Sequence, residues 1–88
     1  MPGASRVGID TAGGLITGPG ATTVKINDFT ACVKGDAVAD HGTGAHDNAH
    51  FNSFFSPDVE MGGLPTVRAG DAASCGHVAT GSSDVFIN

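Results

Sequence analysis

The stretches "VKINDFTACVKGD" (residues 24–36) and "VEMGGLPTVRAGD" (residues 59–71) decide the fold, because they align without gaps at a period of 35 residues. Each opens with two apolar residues at alternate positions, which places both on one face of a strand. Each continues with residues that accept a positive φ, Asn27-Asp28 and Gly62-Gly63, as a tight hairpin turn requires. Each then ends at Gly-Asp. The sequence therefore predicts two copies of one β-hairpin unit.

A third copy of the unit is divided between the two ends of the chain. The stretch "VFIN" (residues 85–88) matches the opening strand of the other copies and then stops. The stretch "SRVGID" (residues 5–10) resembles "VRAGD" (residues 67–71), with Ile9 inserted. We therefore predict an all-β fold of three hairpin units in a closed ring, with pseudo-threefold symmetry and the third unit shared between the termini. Ring closure also removes free sheet edges.

Three loops connect the predicted units, at residues 11–23, 37–58 and 72–84. By symmetry these loops should lie on one side of the ring. The aspartates that close the equivalent stretches, Asp10, Asp36 and Asp71, predict a repeated turn cap rather than a catalytic group. Cys32 occupies a strand position of the repeat, where a free cysteine acts as a small hydrophobic residue.

Length and charge narrow the class of protein. Eighty-eight residues predict one domain that covers residues 1–88. The net charge of −5 includes only four basic residues, too few for the basic face that nucleic acid requires. The N-terminus has no apolar signal region, so we expect a chain made in the cytoplasm without a signal peptide. A core this small needs an additional constraint such as a disulfide or a metal.

All the histidines and one cysteine fall in the second and third loops: His41, His46, His50, Cys75 and His77. Zinc prefers these ligand types, and a tetrahedral site takes four. A metal that closes long loops can contribute roughly 10 kcal/mol of folding free energy. The sequence predicts one structural zinc ion per chain, bound by His41, His50, Cys75 and His77. His46, in the loosest part of its loop, is the alternative to His50.

The segment "HDNAH" (residues 46–50) has the histidine spacing of the zinc-protease motif His-Glu-x-x-His. That motif needs a helix and a glutamate that reaches the metal-bound water. Here Asp47 is one methylene shorter, and nearby glycine and asparagine residues disfavour a helix. These features argue against a hydrolase.

Three longer stretches resemble the PAAR-repeat family, whose members sharpen the tips of type VI secretion spikes and contractile phage-tail spikes. They are "MPGASRVGID" (residues 1–10), "SPDVEMGGLPTVRAGD" (residues 56–71) and "CGHVATGSSDVFIN" (residues 75–88). "PTVRAGD" matches the family's Pro-x-x-Arg-x-Gly-Asp pattern, whereas "TACVKGD" keeps only the Gly-Asp. Many members also carry a histidine near the position of Ala12, which leaves the ligand set open.

The resemblance implies a small cone whose base caps a trimeric VgrG-like or phage spike protein, with one chain per trimer. It implies an apex held by zinc on three histidines and one cysteine. The expected role is structural: a bare tip without a fused toxin, ejected with the spike and pressed mechanically against the target membrane. The chain would be made in the bacterial cytoplasm, and the product would be secreted or virion-associated. The alternatives are an adaptor that links effector proteins to the spike, suggested by the long second loop, and a minimal zinc hydrolase.

Overall fold

The computed structural model describes residues 1–88 apart from the side chain of Ala45. Its strands are β1 (Thr11–Ala12), β2 (Gly14–Gly18), β3 (Ala21–Ile26), β4 (Phe29–Ala31), β5 (Ala37–Val38), β6 (Glu60–Met61) and β7 (Leu64–Pro65). One turn of 3-10 helix, Gly44–His46, lies between β5 and β6. The predicted all-β class is confirmed. In the part of the chain described, no helix has the length and apolar character needed to cross a membrane.

Both internal hairpins form at the predicted turns. Strands β3 and β4 pair around Asn27-Asp28, whose φ angles are 52° and 70°. Strands β6 and β7 pair around Gly62-Gly63, with φ angles of 64° and 84°. Positive φ at both central residues matches the twist of the flanking strands, which is why these residue types occupy the turns.

The two ends of the chain form the third hairpin unit. Gly3 forms an antiparallel bridge with Phe86. The amide of Ala4 donates to the carbonyl of Val85, and the amide of Ile87 donates to that of Pro2, both at 2.9 Å. The N-terminal and C-terminal segments therefore complete one unit, as the divided repeat predicted.

A cyclic set of backbone hydrogen bonds links the three units. The amide of Ser5 donates to Val67 O, that of Val67 to Cys32 O, and that of Cys32 to Ser5 O, at 3.0, 2.9 and 3.0 Å. All three residues are fully buried, and we call them the central ring. They are the residues that the repeat aligns with one another. A pseudo-threefold arrangement of the units would produce such a cycle of equivalent hydrogen bonds. The symmetry itself stays a prediction.

The tip of each hairpin unit lies on the start of another unit, which extends the cyclic pattern outward. The Ser82 hydroxyl donates to the side-chain oxygen of Asn27, in the first turn, at 2.5 Å. The Ser56 hydroxyl donates to the carbonyl of Asn88, at the end of the third unit. A Cβ placed on Gly62, in the second turn, would lie 3.0 Å from the Cβ of Ala21. Each unit is therefore braced by another.

The three predicted turn caps are present and nearly identical. One carboxylate oxygen of each aspartate accepts a backbone N–H at 2.8 Å: Arg6 to Asp10, Val33 to Asp36, and Arg68 to Asp71. All three aspartates are buried. Their role as structural caps follows directly from these bonds.

Two of the caps are reinforced by arginine and the third is not. Arg6 and Arg68 form ion pairs with Asp10 and Asp71 at 2.8 and 2.9 Å. The hydrogen bond to the aspartate is the main cause that raises the pKa of each arginine. Val33 replaces arginine in the first unit, and there Asp36 accepts the Gly20 amide at 3.0 Å instead.

The first loop is more ordered than the sequence predicts. Residues 11–18 form a hairpin in which Thr11 lies opposite Leu15, and Ile16 pairs with Val38 of the second loop. Ile16 is fully buried while Leu15 is 44% exposed, and this alternation of buried and exposed side chains is typical of a strand. Ile16 joins a core beneath the loops with Phe51 and Val67, and a second core lies between the hairpins around Ile26 and Val33.

Removing one cap tests the structural role of the aspartates. We predict that Asp71→Ala lowers the free energy of unfolding by about 3 kcal/mol, because it leaves the Arg68 amide and guanidinium without their acceptor. Asp58→Ala is the matched control, since Asp58 is exposed and accepts no comparable bond. Urea denaturation of both variants measures the difference, and equal losses would contradict the cap role.

Candidate metal centre

Three histidines from two loops meet at one point. The second loop turns back through the 3-10 helix, and the amide of His41 donates to the carbonyl of His46 at 3.1 Å. The ring centroids of His41 and His46 lie 5.1 Å apart. His77 of the third loop lies 5.1 and 5.0 Å from these two rings. One nitrogen from each ring lies within 4.8 Å of the others, an arrangement that could hold a metal ion.

The hydrogen bonds of His41 leave the correct nitrogen free for a metal. Its Nδ1 lies 2.8 Å from the carbonyl of Ala39. A carbonyl only accepts, so Nδ1 carries the proton and Nε2 keeps its lone pair. Nε2 lies 3.3 Å from Nδ1 of His46. Bond lengths near 2.0 Å in a tetrahedral zinc site place ligand nitrogens about 3.3 Å apart, so the spacing fits a shared ion.

His50 lies outside this group. Its ring Nδ1 contacts the carbonyl of Asn48 at 2.8 Å, which leaves Nε2 free as in His41, but its ring is not among the three that converge. Its backbone amide donates to Ser74 Oγ at 3.0 Å. The next residue, Phe51, is fully buried in the core, and adjacent residues in extended chain point to opposite sides. The ligand set that includes His50 stays a prediction, and the geometry favours His46 in that place.

Cys75 lies near the three histidines but is not part of the compact group. It is half-buried against the core beneath the loops, and its Sγ lies 3.9 Å from the carbonyl of Ala12. Cys75 lies in a turn just before His77, and in this turn the Gly76 amide donates a hydrogen bond to Ala73 O at 2.9 Å. Of the four ligands predicted from sequence, the structure brings His41 and His77 together, and Cys75 lies two residues before His77 in the third loop.

Cys32, the other cysteine, belongs to the core and not to this site. It is fully buried in the central ring. Burial raises the pKa of its thiol far above the usual range, and the nearby Asp36 carboxylate acts in the same direction. The thiol therefore stays neutral, whereas a metal ligand must be a thiolate.

The fold and the site together define a small β-hairpin protein whose loops could be pinned by a metal ion. The family model for the PAAR motif matches residues 9–78. The chain therefore belongs to the PAAR motif family, as its sequence resemblance indicated. Proteins with this motif are associated with the spike tips of type VI secretion and related contractile injection systems. No curated protein matches the chain.

A pair of histidine variants distinguishes the clustered ring from the outlying one. We predict that His46→Ala weakens metal binding at least about tenfold, while His50→Ala changes it less than about twofold, because only His46 faces His41 and His77. Competition with a chromogenic chelator measures the affinities, and elemental analysis gives the metal content. The reverse order would restore His50 as the ligand.

Proposed function

We propose that this protein is the tip of a membrane-piercing spike, in a type VI secretion system or a contractile phage tail. The PAAR motif match over residues 9–78 is the observation that carries the proposal. The cyclic bracing of three hairpin units supports it, because a spike tip must keep its shape under load. The chain would be assembled on its spike in the producing cell and ejected with it toward the target.

The proposed metal is one structural zinc ion per chain. His41, His46 and His77 would supply three nitrogens, and Cys75 would supply a thiolate as the fourth ligand. Cysteine and histidine are the donors of structural zinc sites, which are fully coordinated by protein. The ion would join the second and third loops and so oppose their unfolding.

The proposed role requires no chemical step on a substrate. Four protein ligands would fill a tetrahedral shell and leave no position for an activated water. Asp47, the residue that a hydrolase would use as its base, is exposed beside Asp40 and accepts no bond from the metal cluster. The metal centre therefore suits mechanical stability better than hydrolysis.

The hairpin units offer a surface that suits a trimeric partner. Phe29 and Leu64 occupy equivalent positions of the first and second units and are 36% and 44% exposed, and Phe86 of the third unit is 50% exposed. We call these three residues the hairpin face. A monomer with three similar units can present matching contacts to three identical subunits at once. The hairpin face would cap the exposed strand ends of a β-helical trimer, which otherwise invite further pairing.

Binding to a trimeric spike protein tests this role. We predict a complex of one chain per three subunits that persists at high salt, because the contact is mainly apolar. Leu64→Asp should weaken it at least about tenfold, since it places a charge in the contact. Leu15→Asp is the matched control, because Leu15 has the same 44% exposure but lies in the first loop.

The mass of the complex and the two affinities decide the outcome. Native mass spectrometry counts chains, and titration calorimetry compares the variants. Three chains per trimer would indicate side-on binding and exclude the cap. A stronger effect of Leu15→Asp than of Leu64→Asp would place the contact on the loops.

A further inference from the structure

The first loop supplies no candidate ligand, yet its backbone lies against three of them. The carbonyl of Ala12 faces Cys75 Sγ at 3.9 Å. A Cβ placed on Gly13 would lie only 2.5 Å from Cδ2 of His77 and 2.7 Å from Nε2 of His41. Carbon atoms in contact need about 3.5 Å or more, so there is no room for a side chain at this position.

The backbone conformation alone does not explain glycine at position 13. Its φ angle is 83°, and the corresponding residues of the other two loops, Asn48 and Gly76, have φ angles of 59° and 90°. The three positions are equivalent because each lies three residues before a buried core residue. Those core residues are Ile16, Phe51 and Ala79, respectively. Asparagine serves in the second loop, so a left-handed turn here does not require glycine. The requirement specific to Gly13 is space beside the histidines.

The first loop is attached to both ligand-bearing loops, so it has little freedom to move away from them. Thr11 and Thr80 exchange two hydrogen bonds: the Thr80 amide donates to Thr11 O at 2.9 Å, and the Thr11 amide donates to Thr80 Oγ1 at 3.0 Å. On the other side, the Ala39 amide donates to Leu15 O at 2.8 Å. Ala39 is also the residue whose carbonyl orients the ring of His41.

We propose that Gly13 is a positioning residue of the metal centre, and that the first loop forms a wall that holds the His41 and His77 rings at coordinating distance. This inference rests on the proposed metal centre. A side chain at position 13 would press on the His41 nitrogen that faces His46 and on the ring of His77. The ligand nitrogens would then separate, and the metal affinity would fall although no ligand had been removed.

The test compares two alanine variants that share the same backbone strain. Gly13 and Gly70 have φ angles of 83° and 92°. A Cβ on Gly70 meets no atom within 4 Å, whereas one on Gly13 meets the histidine rings. Gly13→Ala should weaken Zn²⁺ binding at least about tenfold, which is typical when a residue that orients metal ligands is changed. Gly70→Ala should change the Zn²⁺ affinity less than about twofold. Chelator competition gives both affinities.

A spectroscopic readout separates a distorted site from a merely destabilised chain. Co²⁺ in place of Zn²⁺ should show altered ligand-field bands in Gly13→Ala and wild-type bands in Gly70→Ala. Should Gly13→Ala fail to fold, Thr80→Val provides a second test, because it removes one of the two hydrogen bonds between the first and third loops without adding bulk near the rings. It should also weaken Zn²⁺ binding.

The outcomes distinguish this inference from the proposed function on which it rests. A wild-type chain that binds no Zn²⁺ would overturn both the metal centre and the wall. A wild-type chain that binds Zn²⁺, with equal affinities for Gly13→Ala and Gly70→Ala, would overturn the wall alone. If Gly13→Ala does not fold, an unchanged Zn²⁺ affinity in Thr80→Val would also overturn the wall alone.

Discussion

Three backbone hydrogen bonds at the centre of the molecule join parts of the chain that are distant in sequence. Ser5, Cys32 and Val67 each donate to one member of the central ring and accept from the other. All three are fully buried, and a buried amide without a partner costs free energy. No unit can satisfy these groups from its own residues. Each unit therefore depends on the other two, and the N-terminal segment is as necessary as either internal hairpin.

The same ring determines where the loops begin and hence where the candidate ligands meet. Just after each ring residue the chain turns at an aspartate cap, and the three caps have matching bonds. The loops that follow are bonded to one another, through Thr11 and Thr80 and through Leu15 and Ala39. Two loops contribute histidines, and the backbone of the first loop at Gly13 lies against the rings of His41 and His77. A metal ion bound there would join the second and third loops and so oppose their opening.

The sequence predicted the features that depend on local chemistry and on the repeat. The residues Asn27-Asp28 and Gly62-Gly63 indicated both hairpins, and the divided third copy indicated that the termini pair. It did not indicate that residues 11–18 form a hairpin. That hairpin depends on Ile16, which pairs with Val38 of the second loop and is buried beside it, a contact between segments distant in sequence. The sequence also favoured His50 over His46 as a ligand, whereas the structure groups His46 with His41 and His77. That distinction depends on a turn closed between His41 and His46, and on Phe51 directing its neighbour away from the site.

Amide hydrogen exchange of the three ring residues tests the account most directly. Closed as one unit, the ring should open only when the whole molecule unfolds. The amides of Ser5, Cys32 and Val67 should then share one free energy of exchange, equal to that of global unfolding measured with denaturant. A Ser5 amide that exchanges much faster than those of Cys32 and Val67 would contradict the account, because the N-terminal strand would open while the two internal hairpins stayed folded.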